Sequence, residues 1–151
     1  MPQASRHRVI QRQADEIAAT ADERGVTIDQ ECTTTVVRCI EDQVAMMLHN
    51  LLTNAVNYSH DGGVVTVTCG PTADGPRVSV SDRGIGIDPE RLPEVFDDYF
   101  KTKEALKHNP NSTGIGLAIV KNVARNHHIA VTVESELDRG TTFTLTFPPQ
   151  E

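Results

Sequence analysis

The 151-residue chain contains no tryptophan, and aromatic residues make up only 4% of it, so aliphatic side chains must fill most of the core. No apolar run approaches the length of a membrane-spanning helix, and no signal peptide opens the chain. We therefore expect no direct membrane contact from these residues. If the domain belongs to a membrane protein, we expect the membrane part to lie elsewhere.

Positive charge is also scarce, because 14 Lys and Arg residues are outnumbered by 21 Asp and Glu residues, which gives a net charge of -7. Domains that bind nucleic acid normally present a basic face, so this balance argues against a general nucleic-acid binder. A phosphate ligand is still possible if local cations, backbone amides and a metal ion supply the positive charge.

The chain has too few cysteines for a disulfide framework. Cys32, Cys39 and Cys69 are odd in number, and no pair has the spacing of zinc ligands. We predict reduced, buried thiols in a cytosolic protein.

Length and composition suit one globular domain, with 38% hydrophobic and 23% charged residues. Hairpin-like links between predicted strands outnumber crossover links. We therefore predict a two-layer α/β sandwich of the α+β type, in which helices pack on one face of a mixed, largely antiparallel sheet. The periodicity of apolar residues predicts strands over 26–32, 64–69, 77–82, 130–135 and 141–147, and helices over 6–22, 40–59 and 113–127.

The helix predicted over 40–59 carries three asparagines, although asparagine is a mediocre helix former. Its periodicity places Asn50, Asn54 and Asn57 roughly opposite an apolar stripe. A solvated polar face is one interpretation, but Lys, Glu or Gln would form such a face at a lower cost in helix propensity. The other interpretation is a binding face, because a carboxamide oxygen can ligate Mg²⁺.

A glycine motif, "SDRGIGID" over 81–88, directly follows a predicted strand. The carboxylate of Asp82 could accept a hydrogen bond from the exocyclic amine of adenine. Gly84 and Gly86 would allow the chain to turn close to a ligand. An ordinary turn between a strand and a helix would show the same letters, so the motif alone is weak.

A second glycine motif, "STGIGLAIV" over 112–120, opens a predicted helix. Backbone amides near Gly114 and Gly116 would point at an anion there, aided by the helix dipole. The motif is neither a Walker A loop nor a Rossmann fingerprint, because it lacks the Gly-Lys-Ser/Thr ending and does not follow a strand. A capped, glycine-rich linker remains the alternative.

The order and spacing of these motifs together resemble one family. An asparagine-bearing helix precedes Asp-x-Gly-x-Gly, a polar loop, Gly-x-Gly-Leu on a helix, and "RGTTFTLTFP". The chain looks like the catalytic ATP-binding domain of a sensor histidine kinase, in the superfamily shared with DNA gyrase, the ninety-kilodalton heat-shock chaperone and the mismatch-repair ATPases. The resemblance covers about residues 26–148 and implies the Bergerat ATP-binding fold.

The resemblance also implies roles for individual residues. Asn54 matches the asparagine that binds Mg²⁺, and Asn50 lies one turn earlier on the phosphate side, so both are expected catalytic positions. Asp82 matches the carboxylate that reads the adenine amine. The expected contacts around the adenine are Tyr58, Gly84, Gly86, Ile87 and Thr141. The expected contacts at the phosphates are Lys101 and Lys103, together with the loop that wraps the phosphates, which comprises Thr113, Gly114, Ile115, Gly116 and Leu117. Phe96 and Phe100 resemble the phenylalanine box that anchors the lid.

Asn50 helps to choose among the relatives. A glutamate at this position is typical of two other branches of the superfamily. One hydrolyses ATP with an activated water, and the other comprises the serine kinases that act on anti-sigma partners. An amide is no general base, so Asn50 favours transfer to an intrinsically nucleophilic imidazole. The chain departs from the family pattern in two places: Asn57 replaces the usual lysine, and His127-His128-Ile129 replaces the usual His-Gly-Gly.

The resemblance implies that ATP and Mg²⁺ bind to this domain and that the γ-phosphoryl group passes to a histidine of a dimerisation domain, in the same protein or in trans. A response regulator would be the indirect partner. None of the six histidines has the family's phosphoacceptor context, so we expect the acceptor outside this chain. Residues 1–24 are expected to be a helical linker or the tail of an upstream dimerisation domain, and residues 25–151 the catalytic domain.

We expect a cytoplasmic location. This expectation also covers a membrane-bound sensor, of which these residues would be a cytoplasmic part. Two alternatives to a kinase stay open. One is a nucleotide-sensing or scaffolding module without transferase activity, which the missing lysine at Asn57 keeps possible. The other is an ATPase of the chaperone or gyrase type, against which Asn50 argues.

Overall fold

A computed structural model describes residues 5–7, 9–33, 37–94 and 116–149. The helices and strands match the predicted ones closely, with two differences. Residues 6 and 7, predicted as the start of the first helix, belong to a short strand, and a second short strand over 37–39 was not predicted either. The predicted polar loop over 101–112 lies outside the described residues. In chain order the elements are β1 (Ser5–His7), α1 (Val9–Glu23), β2 (Thr27–Cys32), β3 (Val37–Cys39), α2 (Glu41–Tyr58), β4 (Val64–Gly70), β5 (Arg77–Ser81), a 3-10 helix (Pro89–Glu94), α3 (Gly116–His127), β6 (Ala130–Glu136) and β7 (Gly140–Thr146).

Five strands form one sheet in the order β2-β4-β5-β7-β6. β2 runs parallel to β4, and the other three neighbouring pairs are antiparallel. β1 and β3 form a separate two-stranded antiparallel sheet. The predicted mixed, largely antiparallel sheet is confirmed. The single parallel pair arises because the chain returns from β2 to β4 through α2, whereas β4–β5 and β6–β7 are joined by short turns.

The helices cover one face of this sheet. Alternate residues of β4, β5 and β7 are buried, as expected when a single sheet face is covered. The apolar stripe predicted on α2 faces this core, because none of its members is more than 4% exposed. These residues are Val44, Leu48, Leu51, Leu52 and Ala55.

The ends of α1 and α3 use the same left-handed cap. Gly25 follows α1 with a φ of 78°, and His128 follows α3 with a φ of 56°. The N–H of Ile129 donates to the Ala124 carbonyl at 2.9 Å, which is the long hydrogen bond of a Schellman motif. The departure from His-Gly-Gly therefore keeps a left-handed turn, with His128 in a conformation that glycine adopts more easily.

His127 connects α3 to the start of α2. Its Nε2 accepts a hydrogen bond from the Ile40 N–H at 3.1 Å, and its Nδ1 lies 3.0 Å from the Val123 carbonyl. This pair of contacts requires a neutral imidazole with the proton on Nδ1. The contacts give His127 a structural role.

α1 belongs to the same core as the rest of the domain. Val9, Ile10, Ile17 and Ala21 are all at most 4% exposed and lie in the main hydrophobic cluster. Packing is therefore continuous across the predicted boundary between residues 24 and 25. That residues 1–24 also extend an upstream domain stays a prediction.

Two adjacent methionines of α2 offer a direct test of this packing. Met47 is fully buried and Met46 is 45% exposed. We expect Met47→Ala to lower the free energy of unfolding by about 2–5 kcal/mol, because it removes buried methylene groups and leaves a cavity. Met46→Ala is the matched control and should change it by only about 0.5 kcal/mol. Urea denaturation measures both, and equal effects of the two substitutions would contradict the placement of α2.

Candidate functional site

Asp82 lies one residue beyond β5, on the sheet face that the helices cover. Only 5% of the residue is exposed. Its backbone N–H donates to the Thr141 carbonyl at 2.9 Å, so the pairing of β5 with β7 continues to this residue. The Gly84 N–H donates to its Oδ1 at 3.0 Å. Burial raises the pKa of the Asp82 carboxyl to about 6, although the backbone amides of Gly84 and Thr141 and the His60 side chain act in the opposite direction.

The glycines around Asp82 allow backbone segments to touch. A Cβ at Gly84 would collide with the carbonyl of Tyr58, the last residue of α2, and one at Gly140 would collide with the carbonyl of Asp82 itself. Gly86 has a φ of 70°, and a Cβ there would meet the Glu136 carbonyl. Close backbone packing therefore already requires these glycines without any ligand, a reason that the sequence interpretation did not include.

Two further backbone contacts hold the loop after Asp82 in place. The Ile85 N–H donates to the Tyr58 carbonyl at 3.0 Å, and the Ile85 carbonyl accepts from the Asp138 N–H at 2.9 Å. The loop is thus fixed to the end of α2 on one side and to the turn between β6 and β7 on the other. Ile87, predicted as a pocket residue, is fully buried.

Ser135 of β6 was not predicted as a site residue. Its hydroxyl accepts from the Ile87 N–H at 2.7 Å, donates to the Gly140 carbonyl at 3.1 Å and lies 2.7 Å from the Thr141 hydroxyl. Because a hydroxyl has one donor, the Thr141 hydroxyl must be the donor to Ser135. Ser135 thereby fixes Ile87 and Thr141 relative to each other. A serine in an alternating strand carries no sequence signal for such a role.

The predicted polar face of α2 is present. Asn50, Asn54 and Asn57 are all partly exposed, in contrast to the buried stripe opposite. The side-chain amide of Asn50 donates to the Met46 carbonyl of its own helix at 2.9 Å. Asn54 lies one turn further along the same face, so the two predicted catalytic residues are neighbours.

Tyr58 brings the end of α2 to Asp82. The residue is only 5% exposed. Burial raises the pKa of its phenol, and the negative charge of Asp82 raises it further. Tyr58, Asp82 and Thr141, which were predicted on the basis of three distant motifs, are therefore brought together at one end of the sheet.

Arg24 was also missed by the sequence interpretation. Its Nε donates to the Val56 carbonyl at 3.2 Å, and its Nη2 donates to the Asn57 carbonyl at 3.0 Å. A cation at this position satisfies carbonyl groups at the C-terminal end of α2 and complements the helix dipole. Arg24 thus supports the segment that carries Tyr58.

The remaining predicted residues fall near or beyond the limit of the described chain. Gly116 is the first residue of α3, and Leu117 beside it is 5% exposed. The others lie outside the described residues. They are Phe96, Phe100, Lys101, Lys103, Thr113, Gly114 and Ile115.

The donor set suits Mg²⁺ only if other groups supply most of its ligands. Within the described ranges, no group of three or more His, Cys, Asp or Glu side chains converges on a possible metal position. Mg²⁺ keeps several water molecules and is commonly held by one or two protein groups together with substrate phosphates. The partly exposed carboxamide of Asn54 fits such a limited role.

Comparisons with known proteins agree with this geometry. The sequence model of the histidine kinase-, DNA gyrase B-, and HSP90-like ATPase family matches residues 39–151. The chain therefore belongs to this family. Among the helices of the described residues, none is long and apolar enough to cross a membrane.

Two similar proteins are sensors. The heme sensor protein HssS of Staphylococcus saprophyticus is 34% identical over 128 residues, which cover 85% of this chain and 27% of that protein. The sensor-like histidine kinase SenX3 of Mycobacterium bovis is 39% identical over 114 residues, which cover 74% of this chain and 28% of that protein. This chain thus spans little more than a quarter of the length of these relatives.

Solved structures show the same fold. The mycobacterial sensor histidine kinase MprB superimposes with a TM-score of 0.83 at 26% identity, over 94% of this chain and 95% of that chain. The catalytic domain of the histidine kinase ThkA gives a TM-score of 0.82 at 20% identity, over 97% of this chain and 95% of that chain. The predicted two-layer fold is confirmed as that of histidine kinase catalytic domains.

The raised pKa of Asp82 makes the stability of the free domain depend on pH. The folded-state pKa of about 6 exceeds the ordinary value of 3.8, so the protonated carboxyl favours folding. The associated stability is complete below the unfolded-state pKa and is lost as the pH rises through the folded-state pKa. We expect the free energy of unfolding to fall by up to about 3 kcal/mol between about pH 4 and pH 7.5, measured relative to Asp82→Asn, which removes the titration.

Urea denaturation at both pH values measures this difference. Asp74→Asn is the matched control, because the Asp74 side chain is 80% exposed in the turn before β5. The control should show no comparable dependence relative to the wild type. A constant difference between the wild type and Asp82→Asn across this pH range would contradict the burial of the charged carboxylate.

Proposed function

We propose that this chain is the ATP-binding catalytic domain of a sensor histidine kinase, which transfers the γ-phosphoryl group of ATP to a histidine of a separate dimerisation domain. The observation that carries the proposal is the buried carboxylate of Asp82, held between the end of α2 and β7. The family match over residues 39–151 supports ATP as the ligand. The names of SenX3 and MprB support the kinase class.

Asp82 would recognise the base of the nucleotide. A carboxylate offers only hydrogen-bond acceptors, and adenine offers a donor in its exocyclic amine. The low exposure of Asp82 makes a hydrogen bond to it stronger than one at the surface. Tyr58 and Thr141 would line the same pocket, together with Gly84, Gly86 and Ile87.

The polar face of α2 would hold the phosphate end. Asn54 would bind Mg²⁺ through its carboxamide oxygen, and Asn50 would lie on the phosphate side one turn earlier. When bound, the metal would neutralise phosphate charge as the γ-phosphoryl group leaves. Lys101, Lys103 and the loop from Thr113 to Leu117 are proposed to contact the phosphates, and Phe96 and Phe100 to anchor that lid.

Asn50 supports transfer to an imidazole over hydrolysis. Its amide donates to the Met46 carbonyl, and a carboxamide cannot remove a proton from water at neutral pH. An imidazole nitrogen needs no such activation, because its lone pair is already nucleophilic. Catalysis would then depend on positioning and on stabilising the transferred charge.

The acceptor histidine and the remaining parts of the pathway are proposed to lie outside this chain. The dimerisation domain would present the histidine, either from the same protein or in trans, and a response regulator would receive the phosphoryl group from it. Residues 1–24 would lead from that domain into the catalytic domain. A cytoplasmic location fits all these partners.

The kinase and its rivals differ in where the γ-phosphate goes. The full-length protein that contains this chain should be incubated with Mg²⁺ and ATP labelled at the γ-phosphate. We expect label on the protein in an acid-labile, base-stable linkage, as a phosphohistidine gives. Asn54→Ala should reduce the labelling rate by roughly 10²–10³-fold, a typical effect of removing one transition-state contact. Asn126→Ala, at an exposed asparagine of α3, is the matched control and should retain the rate.

Two other outcomes would contradict the proposal. Steady release of labelled phosphate without labelled protein would indicate an ATPase of the chaperone or gyrase type. Saturable ATP binding with neither release nor labelling would indicate a nucleotide-sensing module.

A further inference from the structure

Two of the three cysteines are direct partners on neighbouring strands. Cys32 is the last residue of β2, and Cys69 lies near the end of β4. The parallel register of these strands pairs Cys32 with Cys69. Both thiols are free in the structure. Partners in register on parallel strands place their side chains on the same face of the sheet.

The two sulfur atoms point toward each other's strand. The Cys32 thiol donates to the Val67 carbonyl of β4 at 3.7 Å. The Cys69 thiol donates to the carbonyl of Thr33, the residue after β2, at 3.6 Å. Cys69 is 7% exposed and Cys32 is partly exposed, so both lie along the covered face at the edge of the sheet.

The spacing of neighbouring strands is compatible with a disulfide between paired residues. Neighbouring strands lie about 4.7–4.9 Å apart, within the roughly 4.4–6.8 Å that a disulfide spans between Cα atoms. We propose that Cys32 and Cys69 form a redox-active pair, a reversible modification site at which a peroxide converts the two thiols into a disulfide between β2 and β4.

The reaction with hydrogen peroxide balances in two steps. The Cys32 thiolate, the more exposed of the pair, attacks one peroxide oxygen and the O–O bond breaks. The departing hydroxide takes up the proton that the Cys32 thiol released, which gives water and a sulfenic acid on Cys32. The Cys69 thiolate then attacks the Cys32 sulfur and breaks its S–O bond, and this second hydroxide takes up the proton that the Cys69 thiol released. Two thiols and one peroxide thus give one disulfide and two waters. A dithiol reductant reverses the change by thiol–disulfide exchange.

Burial makes the pair slow to react. Burial, followed by the neighbouring Cys69 thiol, raises the pKa of the Cys32 thiol to about 12, so little thiolate exists at neutral pH. The pair would therefore remain reduced under ordinary conditions and respond to sustained oxidant. Cys69 pairs with Val78 near the start of β5, whereas Asp82 follows the end of that strand. The disulfide would therefore form at the end of the sheet remote from Asp82.

Cys39 provides the matched control. It is fully buried, and its register partner is Ser5 of β1. It therefore has no cysteine partner in the strand pairing of the described residues. Burial also raises the pKa of its thiol, to about 11, so Cys39 tests whether a buried thiol alone explains any reaction.

The experiment treats the domain with hydrogen peroxide, unfolds it in denaturant, and counts the thiols that an alkylating reagent can label. We expect the wild type to fall from three labelled thiols to one, to remain a monomer on a non-reducing gel, and to recover all three with dithiothreitol. Peptide mapping should join Cys32 to Cys69. Cys39→Ala should still form this disulfide, whereas Cys32→Ser and Cys69→Ala should form none.

Several results would overturn the proposal. One is that the oxidised wild type retains all three thiols. Another is that the disulfide includes Cys39 or joins two chains. A third is that a single thiol is oxidised irreversibly. The wild-type thiol count and peptide map decide the matter even if a variant folds poorly. The test needs no nucleotide, so its outcome is independent of the proposed kinase activity.

Discussion

A buried carboxylate is the constraint on which the rest of the site depends. Asp82 is 5% exposed, so its charged form has lost most of its hydration. The pKa of about 6 corresponds to a cost of about 3 kcal/mol at neutral pH, because one pKa unit equals about 1.4 kcal/mol. The backbone N–H groups of Gly84 and Thr141 offset part of this desolvation, and the Gly84 N–H does so by donating to Oδ1 at 3.0 Å. A charge retained at such a cost is well suited to recognise a ligand that supplies the missing donor.

The surrounding backbone is arranged so that this carboxylate has one position. The end of α2, the loop after β5 and the turn between β6 and β7 approach so closely that a Cβ would collide at Gly84, Gly86 or Gly140. Ser135 adds hydrogen bonds that join the loop to β7. The glycine motif therefore serves the packing of the free domain, whether or not a ligand is bound. A side chain at Gly84 would displace the end of α2, one at Gly86 the end of β6, and one at Gly140 the backbone of Asp82.

The sequence predicted the sheet because strands show a local pattern, and the alternation of apolar and polar residues predicted β4 to β7. The asparagine stripe and Asp-x-Gly-x-Gly made Asn54 and Asp82 candidates, and their roles at a nucleotide stay predictions that follow from the family resemblance. β1 and β3 were not predicted, because three residues are too few to show the alternation of apolar and polar residues that marks a strand. The sequence did not reveal the contact of Ser135 with Ile87, because these residues lie 48 positions apart. It did not reveal the contacts of Arg24 with the end of α2 either, because they join residues at least 32 positions apart. The pairing of Cys32 with Cys69 was missed for the same reason, since it depends on strand register.

The central claim is that Asp82 reads the exocyclic amine of adenine. Calorimetric titration with a non-hydrolysable ATP analogue tests it most directly, compared with the corresponding purine nucleotide that lacks this amine. The account predicts that the wild type binds the ATP analogue at least about tenfold more tightly, because a hydrogen bond to a charged group contributes about 1.5–3 kcal/mol. Asp82→Asn should lose most of this discrimination. Equal affinity of the wild type for both nucleotides would contradict the role of Asp82.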